Sequence, residues 1–214
     1  MNAQTVQIGD RASLVRRGRR LEYFTIGYNS LEGLIAVVAG LLAGSIALVG
    51  FGFDSLIEVT SGAALLWRLH ADADESRREH MEAITLRIVG VCFLLLAAYV
   101  SYDSIKSLTW REEPRKSIPG IVLAIVSLIV MPLLVRSKRK VARGIKSGAL
   151  MADSKQTELC TYLSAILLAG LLLNALIGWW WADPVAALIM VPIIVKEGIE
   201  ALRGETCCDE GACD

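Results

Sequence analysis

Asp54 and Glu58 are one helical turn apart within an apolar stretch from Ile46 to Trp67. Each carboxylate at bilayer depth costs about 2.5 to 3.5 kcal/mol on insertion scales, so ionisable residues there mark substrate or proton paths. A spacing of four puts both on one helix face, roughly 6 Å apart along the axis. Two like charges at that distance repel unless one is protonated or a cation lies between them. This is the chemistry of a site that exchanges a metal ion for protons.

A second constellation opens a later apolar segment, in ALMADSKQTELCTYL from Ala149 to Leu163. Asp153, Gln156, Thr157 and Cys160 share a face by spacings of three and four, and polar residues this dense must look into a bundle interior or a water-filled cavity. Cys160 as thiolate and Asp153 as carboxylate are metal donors, and Gln156 offers a weaker carbonyl oxygen. Lys155 and Glu158 lie on another side and read as a local ion pair. Glu32, near the middle of the first apolar segment and three residues from Asn29, is either a proton relay or one end of an interhelical hydrogen bond. Cys92 reads as a core residue and Asp103 as interfacial.

The elements that must carry these groups follow from hydropathy. Hydrophobic residues make up 54% of the 214 positions and mean hydropathy is +0.51. Six apolar segments are long enough for ~30 Å of hydrocarbon: Glu22 to Ala43, Ser45 to Arg68, Ile84 to Lys106, Ile118 to Val135, Ala149 to Gly178 and Asp183 to Leu202. The expected fold is therefore an all-α membrane protein of six transmembrane helices. A basic arm (residues 1–21) precedes the six-helix domain (22–203), and a Cys-rich acidic tail (204–214) follows it. The polar N-terminal stretch and the long first span show no cleavable signal.

Lys and Arg set the orientation. Arg11, Arg16, Arg17, Arg19 and Arg20 precede the first span, Arg77 and Arg78 follow the second, and Arg136, Lys138, Arg139, Lys140, Arg143 and Lys146 follow the fourth. The positive-inside bias places these, and both termini, in the cytoplasm. The block from Arg136 to Lys146 reads as a topology determinant facing anionic lipid. Trp179, Trp180 and Trp181 then anchor the outer interface. A net charge of zero gives nucleic-acid binding no electrostatic support.

The segment GSIALVGFGFDSLIEVTSG, Gly44 to Gly62, resembles the second span of the cation diffusion facilitators, where an acidic residue or His is followed four residues later by Asp. Ala149 to Ala175 resembles the fifth span, in which an Ala-Asp dipeptide leads into His-x-x-x-Asp, and Asp183-Pro184 with its apolar run resembles the sixth. The resemblance implies Asp54 and Glu58 as ligands, with Gln156 at the family's His position and Cys160 at its Asp. It also implies a homodimer. The family's usual cytoplasmic domain is not expected here, since only Gly204 to Asp214 follows the last span. Exchanging His and Asp for Gln and Cys removes a nitrogen donor and adds a soft thiolate, which suits Zn²⁺ or Cd²⁺ better than Mg²⁺ or Ca²⁺. The fourth ligand is Gln156, Asp153 or a water.

Cys207, Cys208 and Cys213 stand among Asp209, Glu210 and Asp214 and read as an accessory metal-capturing cluster in a reducing compartment. His70 and His80, in the connection after the second span, read as part of a solvated loop. The expected function is proton-coupled export of a divalent transition metal, Zn²⁺ or Cd²⁺, across the cytoplasmic membrane. The partners are then the transported metal, protons and the lipid bilayer, without a resident cofactor. The alternative is a membrane metal sensor that binds without transport. An enzyme using Cys160 as nucleophile would lack an intramembrane His as base.

Overall fold

The computed structural model describes residues 3–70, 75–145 and 147–203, with side chains from Ser13 onward outside 68–86, 148–149 and 152. Among these the chain forms six α-helices: α1 Ala3–Ala43, α2 Ile46–His70, α3 Glu75–Trp110, α4 Ile118–Ile145, α5 Gly148–Leu172 and α6 Ala182–Arg203. A π-helical turn, Leu173–Ile177, extends α5. Helices α1 to α5 are long and apolar enough to cross a bilayer. At 22 residues α6 is long enough too, but Lys196, Glu197 and Glu200 interrupt its second half.

Three helices reach well beyond their expected spans. Helix α1 runs unbroken through the basic arm, and α4 continues ten residues past Val135 through the basic block. Helix α3 begins at Glu75, inside the expected connection after the second span. Arg, Lys and Glu are good helix formers, so leaving the hydrocarbon does not end a helix unless a breaker does. The turn between α1 and α2 does have one: Gly44 adopts φ 67°, a left-handed conformation that costs glycine least.

The molecule is built with polar groups inside. Leu31, Leu41, Leu42, Leu95 and Ile129 face outward, whereas Glu22, Asn29, Glu32, Ser55, Glu58, Lys138, Thr157 and Asp183 are buried. Cys92 is exposed on the apolar outer surface and not in the core. Its helix turns Val89, Phe93, Leu96 and Val100 inward instead, and Cys92 falls between these positions. Glu158 accepts from Arg139 Nη2 of α4 at 2.6 Å.

Helix α2 is the centre of the bundle, packing on α1, α3, α5 and α6. In its apolar window 61% of residues are buried, against 33 to 39% in the other spans, so groups on α2 see protein on most sides. Glycines allow the closest of these contacts. A Cβ on Gly52 would lie 2.8 Å from the Val37 backbone nitrogen, and one on Gly33 would lie 2.9 Å from the Gly52 carbonyl. Small residues at such crossings are the usual means of bringing spans together.

At the end of α2 where it follows α1, Asp183 of α6 supplies the helix cap. Ser45 Oγ donates to Asp183 Oδ1, Ile46 N donates to Oδ2 at 2.9 Å, and Ala47 N lies 3.4 Å from the same oxygen. The carboxylate satisfies amide protons that α2 cannot pair within itself and favours the positive end of its dipole. Asp183→Ala is expected to cost about 1 to 3 kcal/mol by leaving those donors unpaired in a buried place. Thermal unfolding of the purified protein in detergent should show a lowered midpoint, and an unchanged midpoint would mean that the cap contributes no stability.

Candidate metal and proton site

Helix α2 presents Asp54, Ser55 and Glu58 toward the bundle interior, where Asp54 is 8% exposed and Glu58 2%. Opposite lies one stripe of α5, Asp153, Thr157, Cys160 and Ser164, spaced by four, three and four residues and all buried. From α1 come Tyr28, Asn29 and Glu32, and from α4 Ser127 and Lys138.

A chain of polar contacts joins these helices. Thr157 Oγ donates to Glu58 Oε1 at 2.8 Å and accepts from Lys138 Nζ at 3.2 Å. Lys138 Nζ also makes a short contact to Asp153 Oδ2 and lies 3.3 Å from Glu22. Ser55 Oγ donates to Glu32 Oε2 at 2.9 Å, and Ser164 and Ser127 share a hydrogen bond of 2.9 Å. Cys160 is 1% exposed. It sits against Glu58, within electrostatic reach of Glu32 and Asp54.

The charges differ between the two ends of this chain of contacts. Lys138 bridges Glu22 and Asp153, one positive charge between two carboxylates, and reaches Glu58 through Thr157. The charged neighbours of Asp54 are all acidic: Glu58, Glu32 and, from α6, Glu197. Several polar atoms in this region are buried without a hydrogen-bond partner, among them Glu58 Oε2, Glu32 Oε1 and both side-chain polar atoms of Asn29. Unpaired buried oxygens on neighbouring carboxylates are costly, and protons or a cation would relieve them.

Helices α2 and α5 thus bring Asp54, Glu58 and Cys160 to one region, with Glu32 beside them. Gln156 is half-buried and takes no part in these hydrogen bonds; the α5 group on Glu58 is Thr157, the next residue. Asp153 faces the same interior but is committed to Lys138. Among the described residues, no three His, Cys, Asp or Glu side chains converge tightly enough to enclose a metal ion. The side chains named here stand on facing helices. Cys207, Cys208 and Cys213 lie outside the described residues, as do the side chains of His70 and His80.

Three participants escape the sequence reading: Lys138, Glu22 and Glu197. Lys138 belongs to a basic block, but the block is helical, and only Lys138 continues the buried stripe Ser127, Met131, Leu134, Lys138, Val141. Extending the 3.6-residue period of α4 beyond the hydrocarbon edge would have singled it out from Arg136, Arg139 and Lys140.

The profile of the cation efflux transmembrane domain matches residues 24–205. The chain belongs to this cation efflux family. Among curated proteins it is 24% identical over 174 residues to an uncharacterized transporter of Methanocaldococcus jannaschii, covering 78% of this chain and 61% of that one. It is 25% identical over 183 residues to transmembrane protein 163 of Xenopus laevis, covering 85% and 65%. A cadmium, cobalt and zinc/H(+)-K(+) antiporter of Bacillus velezensis is 26% identical over 180 residues, covering 79% and 56%. The chain therefore spans somewhat under two thirds of the length of these relatives. Family membership and the long apolar helices make it a multi-pass membrane protein of a transporter family that moves metal cations.

Proposed function

We propose that this cation efflux protein exports Zn²⁺ or Cd²⁺ from the cytoplasm across the plasma membrane in exchange for protons. The observation that carries the reading is the acidic group on facing helices: Asp54 and Glu58 with the Cys160 thiol beside them, where the charges set around Asp54 are, among the described residues, all acidic. Two carboxylates and a thiolate form a borderline-soft donor set. Gln156 or a water completes four-coordination when α2 and α5 close. The antiporter of Bacillus velezensis, whose name includes cadmium, cobalt, zinc and protons, supports the same class of substrate.

In the proposed cycle, metal arrives from the side of the basic helix ends, taken as cytoplasmic by the positive-inside bias. It displaces protons from Asp54, Glu58 and Cys160, and an alternating-access rearrangement exposes it on the other side. Protons from that side then compete for the same atoms and release the ion. Glu32 accepts and passes on those protons in this cycle, a role supported by its hydrogen bond from Ser55 and its unpartnered Oε1.

The sign of the pH dependence follows, because every ligand must lose its proton before binding, so metal affinity falls as pH falls. Cd²⁺ binding to purified protein in a lightly buffered solution with a pH indicator should release at least about one proton per ion. Binding without proton release would remove the exchange from the proposal.

A further inference from the structure

Lys138 is 0% exposed, and its ammonium has three protons and three partners. Asp153 Oδ2 and Thr157 Oγ on α5 accept two, and the Glu22 carboxylate on α1 takes the third. An ammonium enclosed by two carboxylates and a hydroxyl has the surroundings of a bound cation. Asp153 Oδ1 is also buried beside it with no hydrogen-bond partner, a further oxygen available to such an ion. Oxygen-only donors of this kind suit harder divalent ions such as Mn²⁺, in contrast to a site containing a thiolate.

We propose that Glu22, Asp153 and Thr157 form a second, inner cation site that Lys138 occupies with its own ammonium, closing it to hard divalent metal. The tethered ammonium is always at its site, so a free ion can enter only by displacing it from two carboxylates. The same ammonium donates to Thr157, whose hydroxyl proton is shared between Glu58 Oε1, the nearer acceptor, and the Asp153 backbone carbonyl. Lys138 is in this sense a specificity-determining residue: it removes a hard-ion site from the interior and leaves the thiolate-bearing group around Asp54 and Glu58. This consequence for selectivity rests on the export reading above; the existence of the inner site does not.

Mn²⁺ titration of the full chain in lipid nanodiscs, with free Mn²⁺ read by its paramagnetic resonance signal, tests the proposal. Lys138→Met should gain about one Mn²⁺ per chain at an affinity at least tenfold above wild type, since the methionine leaves both carboxylates without a cation. Lys138→Arg should stay closed, and adding Glu22→Gln to Lys138→Met should abolish the gain. The gain should persist when Asp54→Asn is added, which separates the inner site from the proposed export site. Equal Mn²⁺ binding by wild type and Lys138→Met, or a gain that survives Glu22→Gln, would overturn the proposal. Should Lys138→Met not fold, the triple variant Glu22→Gln, Lys138→Met, Asp153→Asn removes every charge of the cluster. That protein, with Cys92, Cys207, Cys208 and Cys213 changed to Ser so that Cys160 is its one thiol, should still bind Cd²⁺ with thiolate absorption, and loss of this signal in folded protein that retains it without the triple change would place the inner residues in the transported-metal site and overturn the proposal equally.

Discussion

Asp54→Ala is expected to abolish metal-driven flux while leaving the protein inserted and folded. Removing a charge from bilayer depth lowers the cost of insertion, so the loss should not come from failed assembly. Among the described residues Asp54 has no hydrogen bond that others depend on for their placement, unlike Glu58, which receives Thr157. What alanine removes is a donor and a negative charge in a place where the neighbouring charges are Glu58, Glu32 and Glu197. Loss of groups that merely orient a metal ligand commonly costs 10- to 100-fold in affinity or activity, so loss of the ligand itself should cost at least about 100-fold. Initial rates in vesicles containing equal amounts of wild type and variant decide it. Near-normal flux by well-folded Asp54→Ala protein would take Asp54 out of the transport path.

The second large effect concerns metal choice. Cys160→Asp restores the residue type at the equivalent position of the resembled fifth-span motif and replaces a soft sulfur with a hard oxygen. The Cd²⁺ to Zn²⁺ transport ratio should fall on the order of tenfold, because Cd²⁺ gains more than Zn²⁺ from thiolate. The site is nearly sealed, with Cys160 1% exposed and packed in the main core beside Leu163 and Leu167. A small shift of the carboxylate oxygen relative to sulfur can be absorbed without opening a cavity. Cys160→Ala provides the comparison: if sulfur is a donor, alanine lowers transport of both ions, and Cd²⁺ more. An unchanged ratio in Cys160→Asp would place the thiol beside the metal path and not in it.

The hydrophobic lengths and buried acids that make these experiments specific were open to reading from the chain itself. A bilayer imposes a simple rule, that charges at depth need a purpose, and it singled out Asp54, Glu58, Glu32 and the polar stripe of α5. Helix number was legible for the same reason. Helix ends were not, because hydropathy marks where lipid ends, whereas backbone hydrogen bonding continues through Arg and Lys until a glycine, a proline or a cap intervenes. That difference concealed Lys138. Counted as loop, it is one positive charge among six; counted as helix, it is, among the described residues, the only one on the buried stripe.

Glu22 and Glu197 were concealed differently. Each lies in the part of its helix where polar residues are unremarkable to a hydropathy reading, and each gains meaning only from its neighbours in space. That the hydrogen bond to Glu58 comes from Thr157 and not from Gln156 has a similar origin. Motif spacing assigns the α5 donor to Gln156, but Thr157 is the residue that lines up with Asp153, Cys160 and Ser164 along the buried stripe. Periodicity alone could not rank two adjacent polar residues whose faces differ by a quarter of a turn or so.

The central claim is exchange of a divalent metal for protons through Asp54, Glu58 and Cys160. Its most direct test is flux in liposomes containing the full chain, with a Cd²⁺-sensitive dye and a pH-sensitive dye inside. On adding external Cd²⁺, metal should enter as protons leave, both signals should grow with an outward proton gradient, and both should disappear in Asp54→Ala. Metal entry with no accompanying proton movement, or binding with no entry at all in correctly inserted protein, would contradict the account.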